Sequence, residues 1–341
     1  MANLFPARAR INPHFAEPDL IVTYAQASGA FEALQGGKPR VKISPDDLYV
    51  YVNALDLRTE AQASQAAPNF LPSATLVGEQ FGTPTYLVRT RSIWDRHDTA
   101  AAANYNVSLP AAQALAARQG HYQQYRTALL YGYQPANGEG LLNAPNAVQV
   151  TLPPDPYGAT TFSTYDNGAM ATWLLNQIVT LKISMFQSGG KIHNKIVVIS
   201  PQRIFLQAQI ANIVQVTAYQ RPGAGTQTTA NVAQAQMQEA GDDLLWYFDD
   251  TLQGKGSGGA DAVILTIPEV EVPDIPGINT NVFGEVSPSM KAVNLQYAAM
   301  AAPIEIPTPT PDGAITTVYE NRITSGWNVR GSGLYILNIP H

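Results

Sequence analysis

The chain contains no cysteine among its 341 residues, so disulfides, thiolate metal sites and thiol nucleophiles are all excluded. Charge is scarce as well. Asp, Glu, Lys and Arg supply 13% of the residues, against about 25% in ordinary globular proteins, so much of the surface must be neutral polar or apolar. Two arrangements satisfy this: a subunit that hides its faces against neighbours, or a dense single core beneath a Gln/Asn/Thr surface. There is no run of about 18 apolar residues, which gives no reason to expect a membrane span. The N-terminal stretch MANLFPARARINPHF has no apolar signal core, and a soluble protein made in the cytosol is expected. In that setting the sequon Asn106-Val107-Ser108 reads as a chance match.

Groups for chemistry are also thin. The histidines stand at 14, 97, 121, 193 and 341, with no pair at the spacing of a metal site on one element and no His-Glu-x-x-His pattern. No Gly-x-Ser-x-Gly elbow occurs. The segment GKGSGG at 254–259 has dinucleotide-loop spacing in the wrong context, because such a loop must follow a strand and open a helix. A helix is expected over about 231–253. On it Glu239, Asp242 and Asp243 would share a face, with Asp249 and Asp250 one to two turns on. Carboxylates so placed can bind a divalent cation or form an acid/base pair; a solvated helix face is the plainer reading. No catalytic, cofactor-binding or metal-ligating residue is assigned.

The net charge of −6 argues against a domain that grips nucleic acid, which is usually basic along one face. It is compatible with a container, whose inner wall need only avoid strong repulsion of its contents.

What the chain does have is concentrated at 108–146. Ser108 is a candidate N-cap with Pro110 in the first turn, and Gly132 supplies an exit. Leu115, Tyr122, Tyr125 and Leu129 fall on one stripe between them, giving a helix over 109–131 of about 35 Å. The segment YGYQPANGEGLLNAPNA follows, with Gly138 and Gly140 opening backbone angles closed to other residues and Asn143 and Pro145 suited to a tight turn.

This segment resembles the turn after the spine helix in major capsid proteins of tailed phages and in the related bacterial encapsulin shells, at Gly132, Gly140, Leu141, Leu142, Asn143 and Pro145. The C-terminal ENRITSGWNVRGSGLYILN is similar to the closing strands of the same subunits.

The rest of the chain is read in order. Residues 1–45, with Arg8, Arg10, Pro6, Pro13 and Pro18, read as an extended arm that orders on something else. Residues 46–67 are half alternating and half helical. Residues 75–105 read as two extended runs around Gly82-Thr83-Pro84, the second alternating from Tyr86 to Ile93; Arg89, Arg91, Asp95, Arg96 and Asp98 on them are candidates for intersubunit ion pairs or for a solvated face. VQVTLPPDP begins a strand. Met170, Trp173, Leu174, Ile178, Leu181 and Met185 mark a helix capped by Asp166 or Asn167 and ended by Gly189-Gly190. KIVVIS at 195–200 is a buried strand, Ser200-Pro201 opens a helix, and DAVILTI at 261–267 is a strand. Helices and strands mix without strict alternation, so the fold class is α+β.

The resemblance implies a subunit of the Hong Kong 97 type: an N-terminal arm (1–45), an extended-loop region (46–107), a spine helix and start of the peripheral domain (108–160), an axial domain (161–300) and returning strands (301–341). It implies pentamers and hexamers closing into an icosahedral phage head around double-stranded DNA, contacted non-specifically. Portal, scaffold and cement proteins are possible partners, with neither membrane nor cofactor. The site of action would be the virion, assembled in the bacterial host cytoplasm. Three alternatives stand beside it: an encapsulin-like compartment shell, a cytosolic enzyme using the carboxylates after residue 238, and, more weakly, a monomeric carbohydrate-binding β protein.

Overall fold

The computed structural model describes residues 30–35, 39, 41–58, 75–103, 107–185, 195–210, 212–213, 227–268, 295–328 and 331–341. The first third holds α1 (Ala30–Gln35), β1 (Val41–Lys42), β2 (Tyr49–Arg58), the long β3 (Thr75–Trp94), α2 (Arg96–Ala103) and α3 (Leu109–Leu130). Next come β4 (Val148–Thr151), α4 (Asn167–Met185), β5 (Lys195–Ser200), α5 (Gln202–Ile210), β6 (Asn212–Ile213), β7 (Gln227–Thr228), α6 (Thr229–Glu239), β8 (Asp243–Phe248) and β9 (Asp261–Thr266). The chain closes with β10 (Leu295–Gln296), β11 (Ala298–Ala299), β12 (Ile304–Pro309), β13 (Ile315–Thr324), β14 (Trp327–Asn328) and β15 (Leu334–Ile339).

Five strands in the order β4-β15-β9-β5-β8 form a mixed sheet, whose three inner strands β15, β9 and β5 are buried on both faces. These inner strands therefore read as near-continuous apolar runs, and strand alternation sends neighbours to opposite cores. Ile196 and Val198 enter one cluster with Met170, Ile178 and Leu181 of α4, Ile204 of α5 and Met237 of α6. Val197 and Ile199 enter a second with Phe31 and Leu34 of α1, Leu129 and Leu130 of α3, Leu141, Tyr297 and Ile323. Each such side chain contributes about 1.5–3 kcal/mol by leaving water. The predicted stripe of α4 is wholly buried, and Asp166 is its cap, Oδ2 accepting from the N–H of Ala169 at 2.8 Å. Gly189-Gly190 lies outside the described residues.

A second sheet runs β1-β11-β13-β3-β2, with β12 also paired to β13. The carboxyl end of α3 reaches the core shared with the first sheet, so this helix ties the two sheets together. It spans 22 residues and ends one residue short of the predicted 109–131. Ser108 stands at the N-cap, but its side chain makes no capping bond; its carbonyl accepts from Ala112 at 3.0 Å. Leu129 is buried and Tyr122 and Tyr125 pack against the core. Leu115 is exposed, because the first turns of the helix run beyond that core.

Three readings of the sequence are corrected. Residues 231–253 are not one helix: α6 stops at Glu239, Gly241 takes a φ of 85°, and DLLWYF becomes β8, parallel to β5. An apolar run of that length has no periodicity that separates a buried strand from a helix. Residues 75–94 are not two runs about a turn. They form one strand, and Gly82-Thr83-Pro84 is where it changes partner, from β2 up to Pro84 to β13 from Thr85. Proline is tolerated there because its missing N–H falls at an unpaired position. In the ambiguous stretch 46–67, residues 49–58 are β2. Of the expected arm, the described part packs on the subunit itself. Phe31 of α1 meets the rings of Tyr122, Tyr125 and Tyr297 at 5.2–5.6 Å, and β1 pairs with β11.

Candidate assembly interface

The resemblance-bearing turn is a junction made of glycines. Gly132 and Gly140 have φ of 68° and 83°, and their backbones lie against each other. A β carbon on Gly132 would come 2.5 Å from the carbonyl of Glu139, and one on Gly140 would fall on the carbonyl carbon of Tyr131. Gly140 donates to the carbonyl of Gly326 at 3.1 Å, and Gly326 to that of Ala128 at 3.1 Å. Asn143 Nδ2 donates to the carbonyls of Tyr131 at 2.8 Å and Glu139 at 3.1 Å. The exit of α3, the GLLN turn and the C-terminal strands are thereby joined.

Glu139, buried beneath this junction, is a residue the sequence reading missed. Its Oε1 accepts from Tyr86 Oη at 2.6 Å. Its Oε2 accepts from the N–H of Tyr133 at 3.3 Å, the N–H of Gln134 at 3.0 Å and Ser325 Oγ at 2.8 Å. Burial and then the carboxylate push the Tyr86 hydroxyl well above the usual tyrosine range. The signal was a carboxylate between two glycines, NGEG, in a chain poor in charge.

From this junction two surfaces extend. The first is the ribbon formed by β2 and the first half of β3, paired from Tyr49↔Pro84 to Arg58↔Thr75. A two-stranded ribbon is marginal in water without a further surface. At its base Tyr49 and Tyr51 stack at 5.6 Å while 54% and 61% exposed. The Tyr51 ring lies across Gly82, its register partner, where a β carbon would come 2.9 Å from Cε1. The second surface is the outer face of β12, β13 and β3. There Ile304, Ile306, Leu87 and Ile93 are exposed; directly opposed residues share a face, so they surround Val318, Arg89, Arg91 and Glu320. Apolar groups gathered on one face in this way are candidates for a contact surface.

The predicted polar candidates divide. Arg89 pairs within the subunit to Glu320 at 2.8 Å, Asp95 caps α2 by accepting from the N–H of Asp98 at 2.7 Å, and Arg91 is exposed. The carboxylates after 238 are not brought together. Asp242 is buried against Lys182, Asp249 accepts from the N–H and hydroxyl of Thr251 at 3.0 and 2.7 Å, Asp250 from the N–H of Gln202 at 2.8 Å, and Glu239 and Asp243 are exposed. Among the described residues no three His, Asp or Glu side chains are grouped as metal ligands. The 254–259 loop precedes β9 and is tied down, Ser257 N–H donating to Asn338 Oδ1 at 2.7 Å.

No protein-family model matches the chain, and no curated protein matches it in sequence. Solved structures match it end to end. The capsid of Myoviridae phage XM1 superposes with a TM-score of 0.62 at 12% identity over 96% of each chain. The capsid of the native GTA particle gives 0.56 at 8% over 97% of this chain and 96% of that one, and the capsid of cyanophage P-SCSP1u 0.56 at 8% over 97% and 93%. The chain has a capsid-subunit fold. It is the α+β architecture of the Hong Kong 97 type, and within it the glycine junction sits at the carboxyl end of α3, with the β2–β3 ribbon continuing the sheet the helix packs on.

Proposed function

We propose that the chain is the major capsid protein of a tailed bacteriophage, assembling as pentamers and hexamers into the icosahedral head that encloses double-stranded DNA. The observation that carries this is the superposition on several phage and phage-like capsid subunits over at least 96% of the chain. In this reading α3 is the spine, β2 and the first half of β3 form the extended loop, the sheet of β12, β13 and β3 belongs to the peripheral domain, and the five-stranded sheet with α4, α5 and α6 is the axial domain. The role is structural. Contacts are made through neutral polar and apolar surface, which suits the low charge content and the exposed Tyr49, Tyr51, Ile304 and Ile306. DNA is contacted non-specifically, and portal, scaffold and cement proteins complete the head, in the cytoplasm of a bacterial host. Sedimentation of the expressed protein, alone and with a scaffold, tests the reading: capsomers or shells are expected, and a monodisperse monomer at all concentrations and salt strengths contradicts it. An encapsulin-like compartment would assemble equally, and is distinguished by an enzyme cargo in place of DNA.

A further inference from the structure

The change of partner along β3 leaves part of its edge open. Backbone groups of successive strand residues point to opposite edges. Thr85 sends its N–H toward β2, to the carbonyl of Leu48 at 3.1 Å, so Leu87, Arg89 and Arg91 direct their N–H and C=O groups to the same side. The β2 register ends at Tyr49↔Pro84, and β13 occupies the other edge. At Ile93 the spine closes the row, Gln113 Nε2 donating to its carbonyl at 3.3 Å. Among the described residues, the outward backbone groups of Leu87, Arg89 and Arg91 therefore have no strand partner.

This edge forms one wall of a groove of about 480 Å³, lined also by Gly120 and Gln123 of the spine and by Tyr133. A β carbon on Gly120 would meet only Thr90 Oγ1, at 4.0 Å, so packing within the subunit does not require glycine there. The far edge of the sheet is different. In β12, residues 304, 306 and 308 face β13, opposite 320, 318 and 316, which leaves Pro307 and Pro309 directed outward without donors.

A strand added to the open edge would set alternate side chains beside Arg91 and the Arg89–Glu320 pair on the outer face and beside Val88 and Thr90 on the inner one. The matching pattern is acidic outside and small apolar inside. The chain carries it once as Glu269-Val270-Glu271-Val272, bounded by Pro268 and Pro273, where strand periodicity puts both glutamates on one face and both valines on the other. We propose that the open edge of β3 receives this segment from a neighbouring copy of the chain as an added strand. The inference rests on the shell reading, since it needs a neighbour.

The absence of cysteine makes the test clean. Arg91→Cys is combined with Glu269→Cys in one variant and with Glu271→Cys in another, and assembled particles are oxidised. Adjacent strands hold paired Cα atoms within disulfide range, so an interchain ladder on a non-reducing gel is expected from one of the two. Particles that give only monomer, or an intrachain product, with both pairs overturn the inference and leave the shell reading standing; absence of particles from the unmodified chain overturns both. Arg91→Glu should abolish particle formation, and Glu269→Lys with Glu271→Lys should restore it. An Arg91→Glu chain that assembles like the unmodified one also overturns the proposal.

Discussion

Single residues decide the junction at the end of α3. Gly140 needs both a positive φ and the space a side chain would take, so Gly140→Ala should destabilise the subunit by roughly 3 kcal/mol or more, read as a lowered denaturation midpoint. Glu139 collects four donors in a buried site; Glu139→Gln removes the charge and sets amide N–H groups against them, for a loss of about 2 kcal/mol. His121 offers a pH test. It is buried on α3, its ring nitrogens lack a partner of good geometry, and burial lowers its pKa, with the Tyr319 backbone offsetting part of the effect. A histidine whose folded pKa lies below its unfolded value contributes no penalty above about pH 6.5. As pH falls below that value the unfolded chain takes up a proton the folded one refuses, and stability drops until the folded pKa is passed. Unfolding measured from pH 7.5 downward should show this loss beginning near pH 6.5, and His121→Leu should flatten it. The glycines of the junction were legible because only glycine fits such turns. Glu139 was not, since a carboxylate in a polar loop looks solvated until the Tyr86 and Ser325 partners, distant in sequence, are placed beside it.

At the scale of elements, α3 was legible because Ser108, Pro110 and Gly132 bracket a helical run. Gln119→Pro removes a backbone hydrogen bond and adds a ring clash worth about 3 kcal/mol or more; loss of assembly is expected, and normal assembly would mean the helix is not the strut between the two sheets. β8 and the unbroken course of β3 were not legible. DLLWYF carries no period that favours strand over helix, and Pro84 looks like a turn until two different strands are seen to pair on either side of it. At that partner change the sheet passes from the β13–β3 pairing to the two-stranded β2–β3 ribbon. Replacing residues 52–81 by a short Gly/Ser turn between Tyr51 and Gly82, which are register partners, should leave a folded subunit with near-native helical circular dichroism that does not close shells. Global unfolding would place the ribbon in the subunit's own core, and normal shells would make it dispensable.

For the whole molecule, two cores share one five-stranded sheet, and of its inner strands β5 was recognised as buried because KIVVIS carries a continuous apolar run, while DAVILTI was recognised as a strand. The pairing of strands separated by hundreds of residues, such as Arg89 with Glu320, has no local signature and emerges only with the fold. Low charge was ambiguous between a dense monomer and a subunit covered by neighbours; the exposed Tyr49, Tyr51, Leu87, Ile93, Ile304 and Ile306 favour the second. Shell formation is the central claim, and electron microscopy of the concentrated, purified protein tests it most directly. Closed icosahedral particles, or rings of five and six subunits, are predicted. A field of single compact molecules, unchanged by concentration, salt or added scaffold, would contradict it.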